Sequence, residues 1–384
     1  MLWTKKKKNI SPVPSSVEIS LLKRAYAAHP NNHRVLGKLI EGLLHENQLD
    51  QAIKLCKDHR RQYTHDDYVY ALLTYLYRKS GNFDALIEAG EAALEHSPRV
   101  DTRIQLAYAY AQMDLYDQAA DSLPPEEQYS AMQTNLLRVV LQTLLRIQQP
   151  EQVCQIYQAL QPSQLFDSGL KSNYLKALYK LGRQAELDRI INYRDLIKEY
   201  QLAELYDGQD IGKLNNELET FFLFHPKQQY EPGNHTTRYG SQMHFESDWH
   251  PALGELEGKI KAVVERYLSE QASLDANNDQ LFTLNLWSNV LNRKGYQISH
   301  IHPDAFVSGV YYVTVPKSIT PAEQAGGRQG YLLFSQTESD SHHYVQPEEG
   351  LTVLFPSYFY HETLPLENDE TRICVAFDVV KEPV

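Results

Sequence analysis

The chain has 384 residues, a formal net charge of -12, 42% hydrophobic and 22% charged residues. That is the composition of a soluble globular protein with room for two or three domains, and the acidic balance argues against nucleic-acid binding over the whole surface. Cys56, Cys154 and Cys374 are odd in number, far apart and in no CxxC pair. They offer neither a disulfide framework nor a thiolate zinc site and fit a reducing, cytoplasmic setting. No apolar run reaches membrane-spanning length and no secretory h-region opens the chain, so no membrane association is expected. The basic run Lys5 to Lys8 reads as a solvated terminus.

Residues 17 to about 195 carry apolar positions at helical spacing and few strand signals. They also repeat: Asn47-Gln48-Leu49-Asp50-Gln51-Ala52, Gly81-Asn82-Phe83-Asp84-Ala85-Leu86 and Asp114-Leu115-Tyr116-Asp117-Gln118-Ala119 are followed by weaker copies at Gln149 to Val153 and Arg183 to Leu187. The anchors Leu49, Phe83, Tyr116, Pro150 and Gln184 lie 34, 33, 34 and 34 residues apart. Each follows one helical pattern and opens another. A helix pair recurring about every 34 residues is the tetratricopeptide period, so the segment resembles a solenoid of roughly five such units. One pair cannot bury its own apolar face; stacked pairs make a curved array with a concave surface that suits a peptide or partner protein. The alternative is a scaffold without a ligand. Tyrosines such as Tyr68, Tyr75 and Tyr110 sit at helical spacing, where core packing explains them as well as binding does.

The pattern loosens near residue 200. Asp207-Gly208-Gln209-Asp210 breaks the array, Leu214 to Phe222 reads as a helix, and His225 to Asn234 is turn-rich. Pro251 to Leu268 is predicted helical, with Leu253, Leu256, Ile260, Val263, Val264 and Tyr267 on one face. This places the domain boundary at 200/201, giving a helical domain over 1–200 and a second domain over 201–384.

From Leu281 the signals turn to strands: Leu281 to Val290, Ser308 to Val315, Tyr331 to Ser335, Leu351 to Phe355 and Thr371 to Val379, separated by Arg293-Lys294-Gly295, Ala325-Gly326-Gly327, Glu349-Gly350 and Asn368-Asp369. Many short strands behind a helix predict an antiparallel jelly roll whose mouth can hold a small ligand. The chemistry concentrates at His300-Ile301-His302-Pro303-Asp304. Pro303 biases His302 toward extended backbone, where His302 and Asp304 would share a side. With His361, placed in the loop after the fourth of these strands, they form a two-histidine, one-carboxylate set that leaves positions open on Fe(II). Arg372 opens the last strand with the small residues Cys374 and Ala376 on its face, which suits a carboxylate-binding wall.

These features resemble the Fe(II)/2-oxoglutarate-dependent oxygenases of the double-stranded β-helix fold, in particular a bacterial branch with an HxHPxxxxSGVYYV block, here His300 to Val313. The resemblance covers about residues 205–380. It implies iron held by His302, Asp304 and His361, and the far carboxylate of 2-oxoglutarate on Arg372. It further implies O2 as co-reactant, with ascorbate as an optional reductant. One departure stands: the branch repeats HxHP, and its residue at the Asp304 position need not be acidic. His300 therefore competes with Asp304 as third ligand; Asp304 is favoured because a carboxylate balances the metal charge. Tyr312, Asn289 and Trp287 are candidate cosubstrate or substrate contacts, with core packing as the plainer role.

The expected whole is thus a tetratricopeptide-like solenoid followed by a double-stranded β-helix that hydroxylates a protein or peptide brought by the repeats. Two rivals remain: a binding scaffold whose barrel holds metal without turnover, and a cupin-type metal enzyme that does not use 2-oxoglutarate.

Overall fold

The computed structural model describes residues 2–3, 16–64, 66–161, 164–206, 211–232, 236–271, 281–319, 327–336 and 341–381. The Lys5 to Lys8 run, Asp207 to Asp210, the end of the 225–234 turn and Ala325-Gly326 lie outside these residues. The chain divides into two compact units: one comprises mainly residues up to 164 together with 176–182, the other 165–175 and everything from 183 on.

In the first unit α1 (Ser16–Ala28) precedes a series of helix pairs. These are α2 (His33–His45) with α3 (Leu49–Gln62), α4 (Asp67–Ser80) with α5 (Phe83–His96), α6 (Val100–Gln112) with α7 (Tyr116–Ser122), and α8 (Thr134–Arg146) with α9 (Pro150–Gln158). A fifth pair, α10 (Ser168–Lys180) with α11 (Gln184–Ile190), keeps the rhythm although part of it belongs to the second unit. All five anchors are the first residue of the second helix of a pair. Two positions before each stands a residue in left-handed backbone: Asn47 (φ 58°), Gly81 (68°), Asp114 (59°), Gln148 (61°) and Gly182 (66°). This conformation reverses the chain and lets the next N–H reach back five residues, as in Gln48 to Leu43 (2.8 Å), Asn82 to Tyr77 (3.1 Å), Leu115 to Tyr110 (2.9 Å) and Gln149 to Leu144 (2.8 Å). Orphan carbonyls at the helix end are thereby satisfied. Asn32, Asp66 and Asn82 cap the following helices through side-chain oxygens. The apolar stripes close on a core that includes Leu36, Leu39, Leu73 and Leu86, all fully buried, with Ala52 and Cys56 where helices approach closely.

The second unit is an antiparallel curled sheet with helices on its outer face. Short segments lead into it: α12 (Tyr193–Leu196), β2 (Lys198–Gln201), α13 (Leu202–Leu205), α14 (Ile211–Phe224), β3 (Gln229–Tyr230), β4 (Thr237–His244) and α15 (Pro251–Glu270). Then come β5 (Leu281–His300), β6 (Val307–Thr314), β7 (Leu332–Ser335), β8 (His342–Val345), β9 (Leu351–Pro356), β10 (His361–Thr363) and β11 (Arg372–Lys381). The order along the sheet is β2-β9-β6-β11-β5-β10-β7-β8; β4 joins β5 and β3 joins β4, while β1 (Leu2–Trp3) adds to β5 in parallel. This is the jelly-roll architecture expected from the strand pattern. The domain boundary is not where the sequence placed it, because residue 200 lies inside β2, which pairs with β9.

The long β5 shapes the barrel. Its first half pairs with β11 from Phe282 to Leu291, and its end pairs with β10 at Gln297 and His300. Between them Arg293-Lys294-Gly295, expected to end a strand, instead bends one. Lys294 takes φ 64°, and a Cβ on Gly295 would stand 2.6 Å from the Asn292 carbonyl, so the corner requires glycine there. One face of the sheet buries Val290, Tyr311, Val375 and Phe377 against α14 and α15, as in the contacts of Leu218, Leu256 and Ile260. Each such side chain contributes about 1.5–3 kcal/mol of burial. The opposite face is left for the site.

Candidate active site

Strand alternation puts Arg372, Cys374, Ala376 and Asp378 on one face of β11. Their register partners continue that face: Asn289 and Trp287 on β5, and Tyr312, Val310 and Ser308 on β6. His361 opens β10 and is the direct partner of His300 at the end of β5. The expectation of His361 in a loop is corrected by this pairing.

His300, His302 and His361 each offer a ring nitrogen within 4.8 Å of the others. Their ring centroids lie 5.0 Å (His300–His302), 4.3 Å (His300–His361) and 5.0 Å (His302–His361) apart. Each Nδ1 faces an acceptor: the Ile298 carbonyl at 2.7 Å, the Asp378 carboxylate at 2.6 Å and the Phe359 carbonyl at 3.0 Å, respectively. A carbonyl can only accept, so on His300 and His361 Nδ1 carries the proton, and each of these two neutral rings has its Nε2 lone pair free to bind a cation. The Nε2 atoms of His300 and His302 are 3.1 Å apart. At that separation the two nitrogens share either a proton or a cation. Burial, then the neighbouring imidazoles, hold His361 well below its ordinary pKa, and burial with His302 brings His300 down to about 4. The three converging ring nitrogens fit a divalent first-row metal.

Asp304 does not join this cluster. His302-Pro303-Asp304 is a turn rather than a strand: the Ala305 N–H donates to the His302 carbonyl at 3.2 Å. The start of α10 holds the turn, with the Ser168 hydroxyl on the Ala305 carbonyl at 2.7 Å and the Gly169 N–H on the Pro303 carbonyl at 3.3 Å. Same-side placement of residues two apart holds only in extended backbone, so Asp304 is exposed. Of the two overlapping pairs, the geometry unites His300 and His302.

Arg372 is 1% exposed, and among the described residues no carboxylate lies within ion-pair distance of it. Its guanidinium carbon stands 4.9 Å from the centroid of the Tyr312 ring, and Nη1 is 3.9 Å from Cys374 Sγ. The Arg372 Nε and the Tyr312 hydroxyl are buried without a hydrogen-bond partner. Burial pushes the Tyr312 hydroxyl up to about 12, so it stays a donor. A buried cation without an anion is costly, and two unspent donors beside it are the counterpart of a small carboxylate. Asn289, fully buried, is committed to Thr237 Oγ1 at 3.3 Å and makes only a 4.0 Å approach to Cys374 Sγ. Trp287 stacks on His302 with centroids 5.5 Å apart and buttresses that ring. Sequence reasoning overlooked Asp378, Ser308 and Ser357; continuing the every-second-residue count from Arg372 along β11 would have reached Asp378.

A jelly roll with converging imidazoles and a buried arginine that has no acidic partner among the described residues has the side chains for a metal site beside an anion site. The comparisons make that class specific. Residues 285–378 match the family described as putative 2OG-Fe(II) oxygenase, and residues 19–76 match the tetratricopeptide repeat. The chain carries a 2-oxoglutarate/Fe(II) oxygenase domain behind tetratricopeptide repeats. Among solved structures, a Pseudomonas putida prolyl-4-hydroxylase is 14% identical, covering 50% of this chain and 95% of its own, with a TM-score of 0.36. A Trichoplax adhaerens prolyl hydroxylase, solved with a hypoxia inducible factor peptide fragment, is 13% identical over 53% of this chain and 92% of its own, TM-score 0.37. A Thermus thermophilus tetratricopeptide protein is 18% identical over 42% and 89%, TM-score 0.35. No curated protein matches the chain. No described helix is long and apolar enough to cross a membrane, and none of the three buried cysteines is in a disulfide.

Proposed function

We propose that this protein is an Fe(II)- and 2-oxoglutarate-dependent dioxygenase that hydroxylates a protein or peptide recruited by its helical repeats, in the cytoplasm. The observation that carries the reading is the pairing, on one sheet face, of three converging imidazole nitrogens with a buried arginine that has no acidic partner among the described residues. His300, His302 and His361 hold the metal. Bound there, Fe(II) supplies the dioxygen and one-electron chemistry that side chains lack. Three protein ligands would leave positions on the ion open for cosubstrate and oxygen.

The chain's own residues then do four things. Arg372 grips the far carboxylate of 2-oxoglutarate through parallel charge-assisted hydrogen bonds, and the Tyr312 hydroxyl adds a donor to the same group. Cys374 and Ala376 are small and leave room along β11 for its carbon chain. Trp287 fixes the His302 ring by stacking. Phe355 and Phe334, with ring centroids 4.7 and 6.1 Å from His361, keep water from that side of the cluster.

The test is succinate formation from 2-oxoglutarate by the full chain with Fe(II) and O2, with His361→Ala as control. Turnover lost in the control supports the oxygenase; no turnover and no iron uptake by the wild type sinks it. Turnover of a substrate that persists in Arg372→Ala would favour a metal enzyme that does not use 2-oxoglutarate.

A further inference from the structure

We propose that Asp378 is the carboxylate of the metal centre, acting as a positioning residue through His302 instead of as a ligand. The inference rests on the reading of the three-histidine cluster as a metal site. One oxygen of Asp378, Oδ1, accepts the His302 Nδ1 proton at 2.6 Å and the Ser308 hydroxyl at 2.7 Å. Ser308 has one proton and gives it to Asp378. The Ser357 hydroxyl, 2.7 Å from Ser308 Oγ, must therefore donate to Ser308. The chain runs Ser357 to Ser308 to Asp378, with His302 donating from the other side. Ser357 and Ser308 are 0% and 1% exposed, so water does not compete for this line.

Two further observations give the arrangement a direction. Among the described residues, the only basic side chain within ion-pair distance of Asp378 is His302. A cation on the far nitrogen of that ring would balance this carboxylate. The three histidines are also not equivalent: His300 and His361 donate Nδ1 to neutral carbonyls, and only His302 donates to a carboxylate. A ligand set with one carboxylate places a negative charge on the ion; three imidazoles place none. Asp378 returns that charge at one remove, fixes the tautomer that leaves His302 Nε2 bare, and makes the ring a stronger donor. The fold places it there, since Asp378 is the register partner of Ser308 and shares the β11 face with Arg372. Six residues at about 3.3 Å each separate the two, so one strand carries the cosubstrate anchor and the metal's charge about 20 Å apart in backbone terms.

The test is Co(II) binding to the full apoprotein, read as a dissociation constant and as the d–d absorption of the bound ion. Asp378→Asn, which keeps the shape and removes the charge, is expected to weaken binding about 10–100-fold and to shift the Co(II) spectrum. Asp378→Ala should weaken it at least as much. Ser308→Ala, which leaves the bond to His302, should change it little. An Asp378→Asn protein that binds Co(II) as the wild type does overturns the inference while leaving the metal centre standing. A loss in Ser308→Ala as large as in Asp378→Asn overturns it too, because the effect would then be one of packing. No Co(II) uptake by the wild type overturns the metal-centre reading itself, and this inference with it. Should Asp378→Asn not fold, Asp378→Glu decides on the same readout: a shifted spectrum and weaker binding support the role, and wild-type values overturn it.

Discussion

Replacing Arg372 by methionine should stabilise the ligand-free protein and abolish 2-oxoglutarate binding, an outcome with opposite signs in two assays. The guanidinium is 1% exposed, has no acidic partner among the described residues, and keeps an unpartnered Nε. Desolvating an uncompensated ion costs several kcal/mol, and exchanging buried charge for apolar groups of similar volume commonly gains about 1–4 kcal/mol. Methionine keeps most of the volume and adapts to the space beside Tyr312. The same exchange removes two charge-assisted hydrogen bonds to the cosubstrate at about 1.5–3 kcal/mol each, so about 3–6 kcal/mol in all. At about 1.4 kcal/mol per decade that is a loss of roughly 10²–10⁴ in affinity. Thermal unfolding without and with 2-oxoglutarate reads both effects. Wild type should gain about 2.7 kcal/mol at a ligand concentration a hundred times its dissociation constant, and Arg372→Met nothing. A variant that loses several kcal/mol without ligand, yet binds 2-oxoglutarate as before, would refute the reasoning. It would show that Arg372 is already satisfied within the fold.

Three further outcomes are expected. His300→Ala should abolish tight Fe(II) or Co(II) binding while Asp304→Asn leaves it unchanged, read by metal titration; the reverse pattern would return the carboxylate ligand to Asp304. Asp66 caps α4 through Tyr68 and Val69 and receives His33 and His59 at 2.8 and 3.0 Å. Burial alone would raise its carboxyl, but the hydrogen bonds from His33 and His59 outweigh it and hold the carboxyl below the usual range. Its stabilisation is therefore complete above the ordinary aspartate value of about 4 and is lost as pH falls through the lowered folded value. Asp66→Ala should cost about 1–2 kcal/mol near neutrality, with the difference from wild type narrowing below about pH 4 in denaturant melts. Gly81→Ala should cost about 1 kcal/mol through its φ of 68° alone, because an added Cβ meets nothing within 4 Å; a neutral result in urea titration would mean the turn relaxes.

Local chemistry determined much of this protein before any folding was considered. The spacing of Leu49, Phe83, Tyr116, Pro150 and Gln184 marked the start of the second helix in each pair, because helix starts and the reversals before them depend on a few neighbouring residues. Alternation along β11 placed Arg372 with Cys374 and Ala376 for the same reason. The short strands β2, β4, β8 and β10 were not legible, since three to eight residues carry little periodicity and gain their hydrogen bonds only from partners distant in the chain. Which of His300 and Asp304 lies beside His302 and His361 was decided by tertiary structure alone. A turn pinned by Ser168 and Gly169 directs Asp304 to solvent, the corner at Gly295 carries β5 across to β10, and the pairing of His300 with His361 closes the cluster. Asp378 reaches His302 across 76 residues of sequence. Such a contact has no local signature, because nothing near either residue states which strand will lie beside it.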